Sequence, residues 1–179
     1  MIRVRRAFLA DAPSIGAVHV TAWRNAYAGI LPSGYLTRLS MPRHAAQYDA
    51  SIRAGQGVYV AIAARPGASP GVVGFVTVGR PRVRGLADGE VQTLYVLDDW
   101  REHGLGRRLL AAGAAHLKAG GCRSAFLWVL RDNPSRWFYQ RLGGRQAAES
   151  DTRVAGVAIP QVAFVWDPID PLLAGAPQA

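Results

Sequence analysis

Hydrophobic and polar positions along this chain change period several times, and each change marks an element. Residues Ile2 to Ala7 alternate apolar and arginine positions, which predicts a short first strand. From Asp11 the spacing lengthens. Ile15, Val18, Ala22 and Ala26 recur at helical intervals, with Trp23 and Tyr27 four apart on the next stripe. Asp11 is a good N-cap and Pro13 suits a first helical turn, so a helix is predicted to start there and to end at Gly29. Pro32 and Ser33 introduce a second short helix bearing Tyr35, Leu36 and Leu39, and a third is predicted over 42–54. Strands are predicted over 58–64 and 72–79, paired as a hairpin across the turn-rich connector from Arg65 to Gly71. Val91, Leu94, Tyr95 and Val96 carry the next strand. Leu105, Leu109, Ala112 and His116 then follow a helical period that Gly120 and Gly121 close. A buried-looking strand over 125–130 comes next. Asn133 and Pro134 open a helix that runs through Leu142 and stops at Gly143-Gly144. Two more strands finish the pattern, the last over 161–166.

This order predicts one α/β (α+β) domain over residues 1–167, with a mixed central sheet of six to seven strands flanked by helices. The segment 168–179 is rich in proline, glycine and alanine and is expected to form a loose tail. No internal repeat and no domain linker interrupt the chain. No apolar run approaches the length of a membrane span, and the N-terminus enters a charged strand instead of a signal sequence. The expectation is a cytoplasmic protein with no membrane partner.

Composition narrows the function. Cys122 is the sole cysteine, which excludes an internal disulfide and a cysteine-rich metal site. His19, His44, His103 and His116 are scattered along the chain, so no metal is expected. The formal net charge is +9, and Lys118 is the only lysine. The arginines are spread from Arg3 to Arg153 without a helix-turn-helix, zinc finger or aromatic RNA-binding signature. Their densest cluster, Arg80 to Arg84, falls in a predicted turn and reads as a solvated loop. No specific nucleic-acid partner is expected.

The segment from Glu90 to Leu110 carries the clearest chemistry. A strand leads through Arg101-Glu102-His103-Gly104-Leu105-Gly106 into a helix. The first turn of a helix presents N–H groups with no intrahelical partner and the positive end of the macrodipole. Glycine lets that backbone approach a bulky anion, so the segment is suited to a phosphate or pyrophosphate.

Three features fall in order: Glu90 on a strand ending Leu94-Tyr95-Val96, then Arg101-x-x-Gly104-x-Gly106, then Asn133-Pro-Ser-Arg-Trp-Phe-Tyr139 running on to Gly143. Together with Asp11-Ala-Pro and the run from Ala22 to Pro32, they resemble bacterial members of the GCN5-related N-acetyltransferase (GNAT) superfamily. The resemblance covers nearly the whole chain. It implies a single GNAT-like domain whose sheet splays between the strands near 90–97 and 125–130, and acetyl-CoA as co-substrate. The pyrophosphate would sit on the backbone amides of Glu102, His103, Gly104, Leu105, Gly106 and Arg107, with Arg101 opening the cofactor-binding loop. The pantetheine arm would pair along Leu94, Tyr95 and Val96, with Asn133 bonding the arm. Arg107, Arg108 or Arg136 would meet the adenosine 3′-phosphate.

The implied reaction moves an acetyl group to a primary amine of a small molecule or peptide by direct attack on the thioester. Tyr139 is the candidate acid for the departing thiolate and Glu90 the candidate base, with a backbone N–H of Tyr95 or Val96 for the oxyanion. Trp23, Tyr27 and Tyr35 either line the amine pocket or pack the first helices on the sheet. Glu90 and Asp88 are the acids expected to face the acceptor, and that scarcity favours a mono-amine or a peptide N-terminus over a polyamine. Dimers are common among proteins of this resemblance, so a homodimer is compatible with it. One departure stands out: the family usually has an aromatic residue after the glycine ending the last helix, and here Gly144 follows Gly143. The alternative class is a non-catalytic acyl-CoA-binding or nucleotide/RNA-binding module that uses the same glycine loop and arginine surface.

Overall fold

A computed structural model of the chain describes residues 2–175. Strands β1 (Arg3–Arg6), β2 (Gly57–Ala63), β3 (Gly71–Gly79) and β4 (Gly89–Val96) pair antiparallel in succession. Strand β5 (Ala125–Leu130) lies parallel to β4, β7 (Val157–Trp166) returns antiparallel beside β5, and β6 (Arg145–Val154) closes the edge. The result is a mixed seven-stranded sheet in the order β1-β2-β3-β4-β5-β7-β6.

Helices cover both faces. On one, α1 (Ala12–Ala26) and α3 (Met41–Arg53) bury Ile15, Val18 and Tyr48 against Val58, Val60 and Phe75, with the short α2 (Ser33–Thr37) at their end. On the other, α4 (Leu105–Ala119) lays Leu105, Leu109 and Leu110 against Val76, Val78, Val91 and Leu127. Because β5 is sandwiched between the layers, its sequence Ala-Phe-Leu-Trp-Val-Leu is apolar throughout instead of alternating. Helix α5 (Arg136–Arg141) follows β5.

Several expectations need correction. Asp11 does not cap α1 with its side chain: its carboxylate accepts the Phe8 N–H at 2.7 Å and the Arg5 guanidinium at 2.7 and 3.0 Å. It therefore closes the preceding 3-10 turn and ties it to β1. Helix α1 ends at Ala26, before Gly29, with the Tyr27 N–H closing on the Trp23 carbonyl. The start of the expected loose tail is ordered. Residues Asp170–Gly175 form a 3-10 helix, Ile169 and Leu172 are buried against α4, and Lys118 pairs with Asp170 at 2.6 Å. Two apolar side chains at the right spacing outweighed the glycine- and proline-rich composition there. The last residues, 176–179, lie outside the described part.

One irregularity shapes the site. Thr77 pairs with Thr93 but Val78 pairs with Val91, so Gln92 is an extra residue in β4. Such a bulge kinks its strand and increases the local twist. Accordingly β4 meets β5 only at Gly89↔Ala125 and Glu90↔Phe126, and the two strands then part.

Candidate active site

The parting of β4 from β5 leaves a strand edge inside the sheet. Leu97 N–H donates to the Val73 carbonyl of β3 at 2.9 Å. Backbone groups of successive strand residues alternate sides, so the Tyr95 amide also faces β3, while those of Leu94 and Val96 face the open seam. Of the two oxyanion donors expected, this geometry favours Val96.

The loop at the mouth of the seam is shaped by left-handed residues. Gly104, the residue before α4, has φ 72°, and Glu102 has φ 63°, a conformation that non-glycine residues adopt at a cost and that clusters at functional sites. Of the run from Glu102 to Arg108, the first N–H to find a backbone acceptor is that of Arg108, on the Gly104 carbonyl at 3.1 Å. The side chains of the loop leave the amides open. Arg101 pairs with Asp98 at 2.8 Å, the His103 ring donates to the Arg101 carbonyl at 2.7 Å, and Leu105 anchors the turn from the core. Gly106 serves packing as well, since a Cβ there would meet the Phe138 ring of α5 at 3.3 Å. Arg108 donates to the Ile2 carbonyl and Arg136 lies over the Trp137 ring, which leaves Arg107 exposed on the first turn with neither task.

Polar groups from both sides converge at the seam. Burial pushes the Tyr27 phenol up, an effect eased by hydrogen bonding with Asn133 and Tyr95. Burial likewise raises the Tyr139 and Tyr95 phenols well above the ordinary tyrosine value, with Tyr27 the next cause for each. Asn133, after β5, uses its Oδ1 to accept the Ser135 N–H at 2.9 Å and turns its amide NH2 toward the Tyr27 hydroxyl, with a second N–H left over. Tyr139 is packed among Phe138, Phe164 and Trp166. The departure at Gly144 now has a reason. A Cβ on Gly144 would stand 2.7 Å from the Trp166 ring and 2.9 Å from the Tyr139 carbonyl. Trp166, 1% exposed and bonded through Nε1 to the Leu142 carbonyl, supplies from β7 the aromatic bulk that the sequence lacks after Gly143.

Beside the seam, a cavity of about 270 Å³ opens between α1, α3 and β4. Trp23 and Tyr35 line it, one of the two placements the sequence left open, together with Thr93 and Tyr95 of β4. Tyr27 does not line it; that side chain packs with Leu31, Leu36 and Leu130 and turns toward the seam. Asp88 does not face it either, because its carboxylate accepts the Arg123 N–H at 2.9 Å at the foot of β5.

Glu90 lies on the cavity side of β4 but is 1% exposed and fully engaged. One oxygen accepts the Arg82 backbone N–H at 2.7 Å; the other accepts Nε and Nη2 of the same arginine at 3.0 and 2.6 Å. A direct base needs a lone pair within reach of the amine, and this carboxylate is buried with three of its four lone-pair sites taken by Arg82. The Arg80–Arg84 cluster is accordingly more than a solvated loop.

Sequence reasoning missed His19, Tyr48 and Arg82. His19 sits one turn before Trp23 on the same α1 stripe, so its place on the cavity wall was available from spacing. Its ring and the Tyr48 hydroxyl share a hydrogen bond of 2.6 Å, and it stacks on His44 at 3.9 Å. Burial, then the neighbouring His44, push His19 down to about 3, so the ring is neutral. Two of the histidines read as scattered therefore meet, yet among the described residues no group of metal ligands forms. No described helix is long and apolar enough to cross a membrane.

This architecture has counterparts. A phosphinothricin acetyltransferase of the GNAT superfamily from Sinorhizobium meliloti, solved with acetyl-CoA, superposes with a TM-score of 0.68 at 19% identity, covering 92% of this chain and 87% of that one. A ribosomal-protein-alanine N-acetyltransferase from Brucella melitensis gives 0.68 at 20% identity, over 92% and 99%. In sequence, the uncharacterised N-acetyltransferase YuaI of Bacillus subtilis (strain 168) is 36% identical over 174 residues, 96% of each chain. Residues 20–144, which hold the seam, the loop and all of the cavity lining except His19, match the Acetyltransferase (GNAT) family, and the chain belongs to that family.

Proposed function

We propose that the protein transfers the acetyl group of acetyl-CoA to a primary amine of a small molecule or peptide, by direct attack of the amine on the thioester. The observation that carries this reading is the seam: two parallel strands part after two paired positions, directly beside a helix start whose N–H groups have no backbone acceptor until Arg108. Amides of Glu102 to Arg107 suit the pyrophosphate, and Arg107, exposed and free of the contacts that Arg108 and Arg136 make, is the candidate for the 3′-phosphate. The outward amides of Leu94 and Val96, with the Asn133 amide, suit the pantetheine arm, which pairs like a strand. The Val96 N–H then lies where negative charge builds on the thioester oxygen.

Tyr139 is the acid in this reading. As the carbon–sulfur bond breaks, its hydroxyl gives the proton that the thiolate takes up. Glu90 enters as the anchor of Arg82, not as the group that touches the amine. The cavity itself favours the attacking form, since taking an amine out of water disfavours its ammonium state.

The test has two parts. Acetyl-CoA at about 100 times its Kd stabilises the fold by ~2.7 kcal/mol and raises the unfolding temperature. Tyr139→Phe lowers kcat by about 10²-fold while that thermal shift stays as large as in the parent protein. An unfolding temperature indifferent to acetyl-CoA would rule the reading out.

A further inference from the structure

We propose that the acceptor carries a carboxylate or similar oxyanion beside its amine, making it an amino acid in chemical class, and that Arg82 holds that anion. The inference deepens the transferase reading above and rests on it.

The cavity's charge points this way. Arg82 is its only permanently charged lining residue, and no aspartate or glutamate lines it. The ionisable rings on its wall, His19 and His44, are both held toward neutrality by burial. A second ammonium group brought into this space would lie unpaired, a costly arrangement for a buried charge. An anion brought in with the amine meets the remaining N–H groups of a guanidinium that Glu90 already pairs from the other side.

Arg82 is also placed for the task. Its side chain is 62% exposed, yet the buried Glu90 carboxylate fixes it through the backbone N–H, Nε and Nη2. The bonds to Glu90 leave Nη1 over. A guanidinium pinned from behind has one face left to offer, and a fork already oriented loses little freedom when a carboxylate docks. This explains why a buried glutamate bonded through both oxygens to Arg82 stands on the acceptor side of β4: it aims the arginine. A peptide N-terminus carries an amide where an amino acid carries its carboxylate, so it leaves Nη1 without an anion.

The reaction balances without a carboxylate base. The neutral amine forms the nitrogen–carbon bond, the carbon–sulfur bond breaks, Tyr139 protonates sulfur, and the proton the amine gives up to water is matched by one that water returns to the Tyr139 phenolate.

Free-thiol release from acetyl-CoA, measured with the twenty common L-amino acids and with their methyl esters, tests the proposal. The ester keeps amine and side chain but removes the negative charge, and its amine is the less protonated of the two, so a preference for the acid reports the anion. The expected result is at least one amino acid whose kcat/KM exceeds that of its ester by tenfold or more. Arg82→Gln reduces that ratio at least tenfold, and Arg82→Lys, which keeps the charge and loses the fork, reduces it less. Thermal unfolding of each variant with and without acetyl-CoA checks that the fold and the cofactor seam survive. A ratio at or below one in the parent protein, or a ratio that Arg82→Gln leaves unchanged, overturns the proposal. Thiol release with peptides alone overturns it too while leaving the transferase reading standing; failure of acetyl-CoA to raise the unfolding temperature overturns that reading and this one together.

Discussion

A phenol that protonates a thiolate must keep its own proton until the carbon–sulfur bond breaks. Burial raises the Tyr139 phenol, so it remains protonated to higher pH than a free tyrosine. Any alkaline loss of kcat below pH about 10 therefore has another source. The pH profile of kcat checks this; an inflection near neutrality that vanishes in Tyr139→Phe would contradict it. His19 gives a prediction of the opposite kind. Its folded pKa is depressed to about 3 from an ordinary value of 6.5. Between those values the unfolded ring binds a proton and the folded ring does not, so stability falls as pH drops through that window, by up to ~1.4 kcal/mol per unit. His44 is lowered as well and adds slope of the same sign, whereas Asp11, lowered through Arg5, adds its share only below the ordinary carboxylate range. Urea unfolding at pH 7, 6, 5 and 4 should show a shallower pH dependence in His19→Gln than in the parent. Identical slopes would mean the ring is solvated after all.

At the scale of elements, α5 and β7 hold Tyr139 in place through a contact that tolerates no side chain at Gly144. A Cβ there would clash with the Trp166 ring from one side and the Tyr139 carbonyl from the other. Neither can retreat easily, because Trp166 is buried and hydrogen-bonded to Leu142 and the carbonyl belongs to the helix itself. Overpacking of this sort typically costs about 1–3 kcal/mol. Gly144→Ala is expected to lose that much in urea unfolding and to lower kcat more than it weakens acetyl-CoA stabilisation, since it displaces Tyr139, the acid proposed above, and not the loop. Loss of acetyl-CoA stabilisation with kcat intact would reverse the assignment of this element. The same scale marks where sequence reading succeeds. Helical spacing found α1 and α4, and a continuous apolar run found β5. The opening near Leu94 was expected from the resemblance alone, because a bulge at Gln92 changes register without changing the polar pattern around it.

Across the whole molecule, what could be read from the chain depended on distance along it. The loop from Arg101 to Gly106 is local, so its residues announced their geometry. Tyr139 and Glu90 were legible as residues but not in their surroundings: Trp166 reaches Tyr139 from the second strand after its helix, and Arg82 reaches Glu90 across a loop. His19 met His44 only once α1 packed on α3. Charge is the property that no single contact governs. The chain carries +9, and acetyl-CoA is a polyanion, so the field of the whole surface should draw the co-substrate in. Screening shortens that field from about 10 Å at 0.1 M salt to about 3 Å at 1 M. KM for acetyl-CoA is therefore expected to rise several-fold over that range, while kcat, set by groups packed inside the seam and cavity, changes little. A protein whose arginines instead served a nucleic acid would also bind its ligand less well in salt. That protein, however, would be indifferent to Tyr139→Phe, and oligonucleotide would protect it from unfolding better than acetyl-CoA does. Thermal unfolding at both salt concentrations, with each ligand in turn, separates the two: greater protection by oligonucleotide at 0.1 M, with none by acetyl-CoA, would show that the surface and not the seam is the functional site.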